Sequence, residues 1–250
     1  MPDNIFESKT IKRAKVLGIL SILLFFISFG FLALAAFLQE SNIRAVIIPG
    51  SLIGFIGCNI LALFFIYKAY PVLLYSDCKR MDTIYDNQEL TLFSIPRQDA
   101  LEQLLVSQKF KYMQDGYYHK KKLSLIKDSV NYVIRITQDT DIENAFHREV
   151  SRLEYTHKKW NHLCFILFVF MDTINDDTMT TIKALGKDRI IMETVIYPKA
   201  SASAVIAAID QQTGLGYFMD TTRHSISLYA YGCRLLKKIT GTTAQNKPLD

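Results

Sequence analysis

Charged side chains are absent from two long stretches in the first third of this sequence. Residues 16–38 and residues 45–67 contain no Asp, Glu, Lys, Arg or His, and each stretch is 23 residues long. About 20 apolar residues of α-helix cross the hydrocarbon core of a bilayer, so both stretches are long enough to span it. Ionisable residues mark ion and substrate pathways in membrane helices, and their absence argues against transport through this pair. The sequence therefore predicts two transmembrane helices that anchor the chain in the lipid bilayer.

A cleaved signal peptide is the alternative interpretation of the first stretch. Basic residues precede it, and Ala33-Leu34-Ala35 resembles a cleavage site. The apolar part of a signal peptide is about 7–15 residues long, however, and a longer apolar run precedes Ala33 here. Because a second apolar stretch follows after a short linker, we expect an uncleaved helical hairpin.

Basic residues flank the hairpin on one side of the predicted membrane. The linker holds only Arg44, whereas the outer flanks hold Lys9, Lys12, Arg13 and Lys15 before the hairpin and Lys68, Lys79 and Arg80 after it. Flanks rich in Lys and Arg stay in the cytoplasm. We therefore expect both termini to be cytoplasmic, with residues 1–15 as the N-terminal flank and the C-terminal domain in the cytosol.

The net charge of the chain also comes mainly from these flanks. The whole chain carries a formal charge of +5, of which only +2 lies beyond residue 68. A net charge of this size is no indication of nucleic-acid binding, so we expect no nucleic acid as a partner.

Cysteine is scarce and shows no C-x-x-C spacing. The four cysteines are Cys58, Cys78, Cys164 and Cys233. We expect free thiols in a reducing compartment. Palmitoylation of Cys78, which stands next to two basic residues, is the alternative to an unmodified juxtamembrane thiol.

The most apolar stretch beyond the hairpin is too short to be a third membrane span. Leu163–Met171 is nine apolar residues between polar segments. A short run of this kind, rich in Phe, Ile and Val, is typical of a strand buried on both faces in an α/β sheet. The sequence therefore predicts a cytosolic α/β domain over residues 69–241, with a mixed parallel and antiparallel sheet, and a flexible tail over residues 242–250.

The remaining elements of this domain follow from periodicity and capping residues. A short helix is expected to begin at Asn175 or Asp176 and to end at Gly186, before a second apolar strand at Ile190–Tyr197. Strand, helix and strand in that order predict a right-handed parallel unit. Further strands are predicted at residues 117–127, 130–137, 204–210 and 215–220, and further helices within Pro96–Gln108, over residues 140–160 with Thr140 and Glu143 as a capping box, and over residues 222–239.

Three carboxylates after the apolar strand are the best catalytic candidates. Asp172, Asp176 and Asp177 follow Leu163–Met171, and ligands bind at the carboxyl ends of strands in α/β sheets. Such a group can hold Mg²⁺. Glu193 is a poor fourth ligand, because its place in the predicted next strand is about 13 Å from that edge. The alternative is that these aspartates cap a strand and a helix.

No other catalytic motif is present. The sequence lacks G-x-S-x-G, H-E-x-x-H and a phosphate-binding G-x-x-x-x-G-K. A nuclease pattern fails as well, since Glu193-Thr194-Val195 has no lysine where Glu-x-Lys requires one.

A basic and aromatic segment is the best candidate for contact with the membrane surface. Its lysines are Lys109, Lys111, Lys120, Lys121 and Lys122, interleaved with Phe and Tyr. Lysines near an anionic leaflet contribute about 1 kcal/mol each, so anionic lipid head groups are an expected partner. A solvated hairpin edge, where lysine discourages strand pairing, is the alternative.

Small residues recur in both apolar stretches and predict close helix packing. They are Gly30, Ala33 and Ala36 in the first stretch and Gly50, Gly54 and Gly57 in the second. Such residues allow helix backbones to approach each other in a membrane. Packing within one hairpin and self-association of several copies are both open.

Two functional hypotheses remain from different classes. The first is a membrane-anchored cytosolic interaction or regulatory module. The second is a membrane-tethered, metal-dependent hydrolase that uses Asp172, Asp176 and Asp177. The lack of a recognisable base or nucleophile motif favours the first.

Overall fold

The computed structural model describes residues 2–37, 44–123, 129–156, 162–196, 202–221 and 227–242. The chain divides into two compact units, Met1–Arg80 and Met81–Asp250. Across the described ranges there are six α-helices, one π-helical turn and a single seven-stranded sheet.

The first unit contains two long apolar helices. Helix α1 spans Pro2–Phe37, and helix α2 begins at Arg44 and continues to Asp86. Both are long and apolar enough to cross a membrane. Large apolar side chains such as Phe26 and Ile53 are mostly exposed along them.

Small side chains form the buried seam of the first unit. Ala14, Ser21 and Ser28 of α1 are buried at intervals of seven residues, and Ser51 and Ala62 of α2 are buried as well. The Ser21 and Ser28 hydroxyls donate to carbonyl oxygens of their own helix at 2.7 and 2.6 Å. Because these hydroxyls are satisfied locally, they allow close helix contact without leaving a buried polar atom unpaired.

The second unit is built on one mixed sheet in the order β1-β7-β6-β5-β4-β3-β2. The central strands β4, β5 and β6 are parallel, and every other pairing is antiparallel. The strands are β1 Thr91–Ser94, β2 Lys111–Tyr112, β3 Tyr117–Leu123, β4 Ser129–Gln138, β5 Leu163–Met171, β6 Ala202–Asp210 and β7 Leu215–Phe218. The predicted mixed sheet is confirmed.

Helices cover both faces of the sheet. The domain helices are α3 Gln98–Ser107, α4 Ile142–Thr156, α5 Asp176–Ile191 and α6 Leu228–Thr240. Leu105 of α3 and Leu236 of α6 share a core with one face of the sheet, whereas Phe146 of α4 and Ile182 of α5 share a core with the other. All nine residues of β5 are buried between these layers, which confirms the prediction of a doubly buried strand.

The predicted strand at Ile190–Tyr197 is wrong. Helix α5 continues through Gly186 to Ile191, and a π-helical turn follows at Met192–Ile196; Tyr197 lies outside the described residues. Gly186 does not end the helix. A Cβ there would lie 2.4 Å from the Cβ of Met219, so glycine at this position allows close packing instead. The parallel partner of β5 is β6. A short apolar run fits a buried helix as well as a buried strand, and tertiary packing decided between them.

Capping residues bound three of the domain helices, and the predicted cap is confirmed at α5 and wrong at α4. Asn175 caps α5, its side chain accepting from the Thr178 amide at 2.8 Å, and Gly241 ends α6 with φ of 68°. At α4 the cap is Asp141 rather than Thr140, since its carboxylate accepts from the Asn144 amide at 3.0 Å. A charged acceptor at this position also interacts favourably with the helix dipole.

The last turn of α2 belongs to the core of the second unit. Met81 and Tyr85 are buried there, and the Tyr85 hydroxyl shares a 3.0 Å hydrogen bond with the Thr221 hydroxyl. Lys187 of α5 pairs with Asp82 and Asp86, each at 2.8 Å. A fragment that contains this unit must therefore begin before Met81.

We expect a fragment of residues 70–242 to be soluble and folded. Within this fragment, we expect Tyr85→Phe to lower the free energy of unfolding by about 1–2 kcal/mol. The substitution keeps the ring but leaves the buried Thr221 hydroxyl without this partner. Urea unfolding of both fragments measures the difference. Unchanged stability would show that the bond contributes nothing, and a membrane-bound fragment would contradict the assignment of the apolar helices as the whole anchor.

Candidate functional site

The sheet divides the predicted basic segment between its two faces. In the register of β3 with β4, Lys120 and Lys122 stand opposite Tyr132 and Val130, which belong to the core beneath α3 and α6. Lys121 points to the other face, because side chains alternate along a strand. Lys111 pairs with His119 and shares that other face. Three consecutive lysines are therefore not one continuous patch.

A lysine cluster forms on the face that carries α3 and α6. Its members are Lys109, Lys120, Lys122 and Lys238. Burial lowers the pKa of Lys120, and the positive charges of Lys238, Lys122 and Lys109 lower it further. Lys238 lies in the last turn of α6, far from the others in the chain, so the sequence alone did not associate it with them.

The C-terminal ends of α3 and α6 meet beneath this lysine cluster. Lys120 Nζ donates to the Gln108 carbonyl at 2.6 Å and lies 5.3 Å from the centroid of the Phe110 ring. The Gln108 side chain donates to the Lys238 carbonyl at 3.2 Å. Lys120 thus neutralises the end of α3, which carries the negative pole of the helix dipole.

The lysine cluster lacks acidic partners within the described ranges. None of its four ammonium groups forms an ion pair there, whereas Lys187 pairs with Asp82 and Asp86 and Lys237 with Asp220. Lys187 and Lys237 are thus paired with carboxylates, whereas Lys109, Lys122 and Lys238 of the lysine cluster leave their charge available to an external anion.

Lys109 adopts a backbone conformation that favours glycine. Its φ is 64°, and its amide donates to the Val106 carbonyl while the Phe110 amide donates to the Leu105 carbonyl. This pair of bonds is a Schellman motif, in which the residue at this position is usually glycine. A side chain in the left-handed region costs about 1–2 kcal/mol.

We expect Lys109→Gly to raise the free energy of unfolding by about 0.5–1 kcal/mol. Glycine removes the strain, and its greater freedom in the unfolded chain offsets part of the gain. Urea unfolding of the fragment of residues 70–242 measures the change. A loss of stability would mean that the lysine side chain makes contacts worth more than the strain.

The three candidate aspartates are exposed at the carboxyl end of β5. Asp172 follows the strand, and Asp176 and Asp177 lie in the first turn of α5 behind the cap Asn175. Acidic residues are favoured at this end of a helix by its dipole. No group of three His, Cys, Asp or Glu side chains within the described parts of the chain is arranged to share a metal ion. The metal-dependent hydrolase stays a prediction without a supporting observation.

Glu193 has a structural role that was not expected from its predicted position in a strand. It lies in the π-helical turn, is buried, and accepts hydrogen bonds from the amides of Leu228 and Tyr229, the latter at 2.9 Å. These amides begin α6 and have no partner within the helix. The carboxylate therefore joins the end of α5 to the start of α6. Leu228 in turn contacts Cys164 at the start of β5, the opposite end of the strand from Asp172.

A buried charge network on the α4 face was not predicted from the sequence. The Glu149 side chain is 1% exposed and accepts from the Tyr117 hydroxyl at 2.6 Å. Arg148 and Arg152 donate to its other oxygen at 3.2 and 3.3 Å, and Arg135 Nε lies 3.4 Å away. Burial raises the pKa of Tyr117 to about 12, with the Glu149 bond adding to the effect, so the phenol remains a donor at neutral pH.

The same contacts predict how stability depends on pH. Burial alone raises the pKa of Glu149, but the Tyr117 and Arg148 bonds and the charges of Arg135 and Arg152 outweigh it, and the pKa lies below its usual 4.5. A lowered native pKa stabilises the fold at pH above about 4.5, and this stabilisation is lost as pH falls through the native value. We expect Glu149→Gln to flatten the decline in stability below pH 4.5. The free energies of unfolding of both proteins are measured in urea from pH 7 to pH 3. An equal decline of the two values below pH 4.5 would contradict this prediction.

The cysteines are free thiols. Burial raises the pKa of Cys164 and of Cys233 well above the usual value of a thiol. A protonated buried thiol is unreactive, which gives these two residues a packing role.

Of the small residues predicted to pack helices closely, only some contribute to the contact between α1 and α2. A Cβ on Gly54 would lie 2.8 Å from the Phe31 ring, so this glycine admits a close contact between α1 and α2. Gly30, Gly50 and Gly57 have no such neighbour, and Ala33 and Ala36 are exposed. Packing of these five residues against another copy stays a prediction.

Comparisons of the chain with models of known protein families, with curated proteins and with solved structures find no match.

Proposed function

We propose that this protein is a membrane-anchored interaction module whose α/β domain works at the cytosolic surface of the bilayer. The observation that carries the proposal is the contrast between the two units. In the first, the charge-free stretches of the two helices expose large apolar side chains along their length. In the second, such side chains fill two cores on either side of one sheet. The first unit suits lipid as its surroundings, and the second suits water.

The distribution of basic residues supports a cytosolic location for the domain. Lysine and arginine are abundant on both outer flanks of the hairpin and nearly absent from its linker, the pattern that retains flanks in the cytoplasm. A domain held on that side is close to the leaflet that carries anionic lipids. Anchoring also raises the effective concentration of any membrane-associated partner.

The lysines supply an attraction to that leaflet. The lysine cluster on one face, and Lys111 and Lys121 on the other, are exposed apart from the half-buried Lys120. Exposed lysines near an anionic surface attract it within about 8 Å at physiological salt. Tyr112 is exposed beside β3 and its ring contacts that of Tyr118 at 5.3 Å. An exposed aromatic ring is well suited to the interfacial region of a bilayer.

Topology mapping of the full chain tests this proposal. Single cysteines are introduced in a Cys58→Ser, Cys78→Ser background at position 5, within the linker at position 41, and at position 245. We expect an impermeant maleimide to label positions 5 and 245 only in inside-out vesicles and position 41 only in right-side-out vesicles, and we expect carbonate washing to leave the chain in the membrane. Labelling of position 41 from the cytosolic side, or release by carbonate, would refute the proposal.

A further inference from the structure

We infer that the lysine cluster is a binding site for closely spaced phosphate groups, as in a multiply phosphorylated lipid head group. The inference rests on the proposed function for its access to the membrane. Four lysines from three separate elements come together here. Lys120 and Lys122 lie on one face of β3, and Lys120 Nζ donates to the carbonyl of Gln108, next to Lys109 at the end of α3. The Gln108 side chain donates to the carbonyl of Lys238 at the end of α6. The fold thus brings together charges that are distant in the sequence.

Apart from that of Lys120, the charges of the lysine cluster are not needed to complete the helix ends beneath it. The carbonyls of the last turn of α3 accept from backbone amides and from Lys120. At the end of α6, the Lys237 carbonyl accepts from the Thr242 amide, and the Lys238 carbonyl accepts from Gln108. Lys109, Lys122 and Lys238 are therefore exposed ammonium groups without a structural acceptor among the described residues.

Lys109 gives a second and independent indication. It holds the left-handed position of a Schellman motif, where glycine would relieve strain. Strained residues are concentrated at functional sites, and an observed strained residue is a reason to look for a function of its side chain. The strain at Lys109 is explained if the ammonium group at this position is required for a ligand.

The chemistry of the lysine cluster favours more than one phosphate. Each phosphate monoester carries about −1.5 to −2 charges at pH 7, so two of them approximately balance four lysines. Lysine binds phosphate as a mobile point charge, which suits phosphates at several positions of one ring better than a single planar carboxylate. A dispersed charge, such as one serine carboxylate per lipid, would engage the four amines one at a time.

The test uses the full chain in nanodiscs of zwitterionic lipid. Inositol trisphosphate, as the free head group, and inorganic phosphate are titrated at constant ionic strength by calorimetry. We expect binding of the trisphosphate and at least tenfold weaker binding of inorganic phosphate. Lys122→Gln with Lys238→Gln should weaken trisphosphate binding at least tenfold. The matched control is Lys111→Gln with Lys121→Gln, which removes two charges from the opposite face and should change binding less than threefold.

Lys109→Gly separates a binding role from a structural one. We expect it to raise the melting temperature while weakening trisphosphate binding at least threefold. A variant that is more stable and binds equally well would refute the assignment of Lys109. Absence of trisphosphate binding by the wild type, or equal losses in the two double variants, would refute the site as a whole.

A second arm distinguishes the two sources of the same chemistry. Nanodiscs with a phosphoinositide bisphosphate and nanodiscs with phosphatidylserine at equal total charge are compared for their ability to displace the bound trisphosphate from the wild-type protein. Stronger displacement by the phosphoinositide identifies a lipid ligand, and stronger displacement by phosphatidylserine would refute the preference for clustered phosphate. Equal weak displacement by both identifies a soluble polyphosphate. The topology experiment does not involve phosphate binding, so its result is independent of all these outcomes.

Discussion

Replacing Glu149 with alanine is expected to lower the free energy of unfolding by about 3–5 kcal/mol. The carboxylate is buried between Arg135, Arg148 and Arg152, and it accepts the Tyr117 hydroxyl. Its removal leaves the Arg135 side chain, which is only 15% exposed, without its ion-pair partner. A charge that remains in a poorly solvated position costs far more than the intact pair contributes.

Urea unfolding of the fragment of residues 70–242 measures this loss, with Arg152→Ala as the control. The Arg152 side chain is 59% exposed, and its removal is expected to cost about 1 kcal/mol or less because solvent screens the pair. Equal losses in the two variants would show that burial of Glu149 does not determine the effect. A loss below 1 kcal/mol in Glu149→Ala would show that solvent reaches the arginines in the native state.

Glu193→Ala is expected to cost about 2–4 kcal/mol, because it leaves two buried amides at the start of α6 without acceptors. Those amides belong to Leu228 and Tyr229, which are both fully or almost fully buried. The Ser227 hydroxyl accepts from the Ala230 amide at 3.0 Å, and the carboxylate accepts from the two amides before it.

Glu193→Gln is the matched variant for this prediction. Its amide oxygen retains one acceptor of similar shape, so we expect roughly half the loss. Urea unfolding of the three fragments gives the comparison. Equal stability of the wild type and Glu193→Ala would contradict the capping role and reopen the question of what this buried carboxylate does.

The parts of the fold that were predicted correctly depend on local patterns. Alternation along β4, continuous burial of β5 and the glycine in the turn between β6 and β7 each specify their element within about ten residues. Gly214 in that turn has φ of 69°, the left-handed conformation that favours glycine. These signals do not depend on which element packs against which.

The segment from Ile190 to Ile196 shows where local patterns are insufficient. Its run of β-branched residues predicts a strand, but Gly186 and Ile190 are buried one helical turn apart in α5. Close packing of Gly186 on Met219 and capping of α6 by Glu193 both require the helical path. Long-range contacts thus outweighed the intrinsic preference of the run.

The candidate sites were also predicted only as far as local patterns allow. The lysines near β3 were recognised as a group from the sequence, yet strand alternation places Lys111 and Lys121 on one face and the lysine cluster on the other. Lys238 and the network around Glu149 were not recognised, because their partners lie on elements far apart in the chain.

Two features of this protein are already specified by its linear sequence: a pair of charge-free stretches of membrane-spanning length and a strand apolar on both sides. Each is a local property, since transfer of a side chain out of water depends on the residue itself and its immediate neighbours. The tertiary structure alone decided which charges meet. Electrostatic and hydrogen-bonding partners act over a few ångströms, and only the packing of α3, α4 and α6 on the sheet brings the lysine cluster and the Glu149 network within that distance.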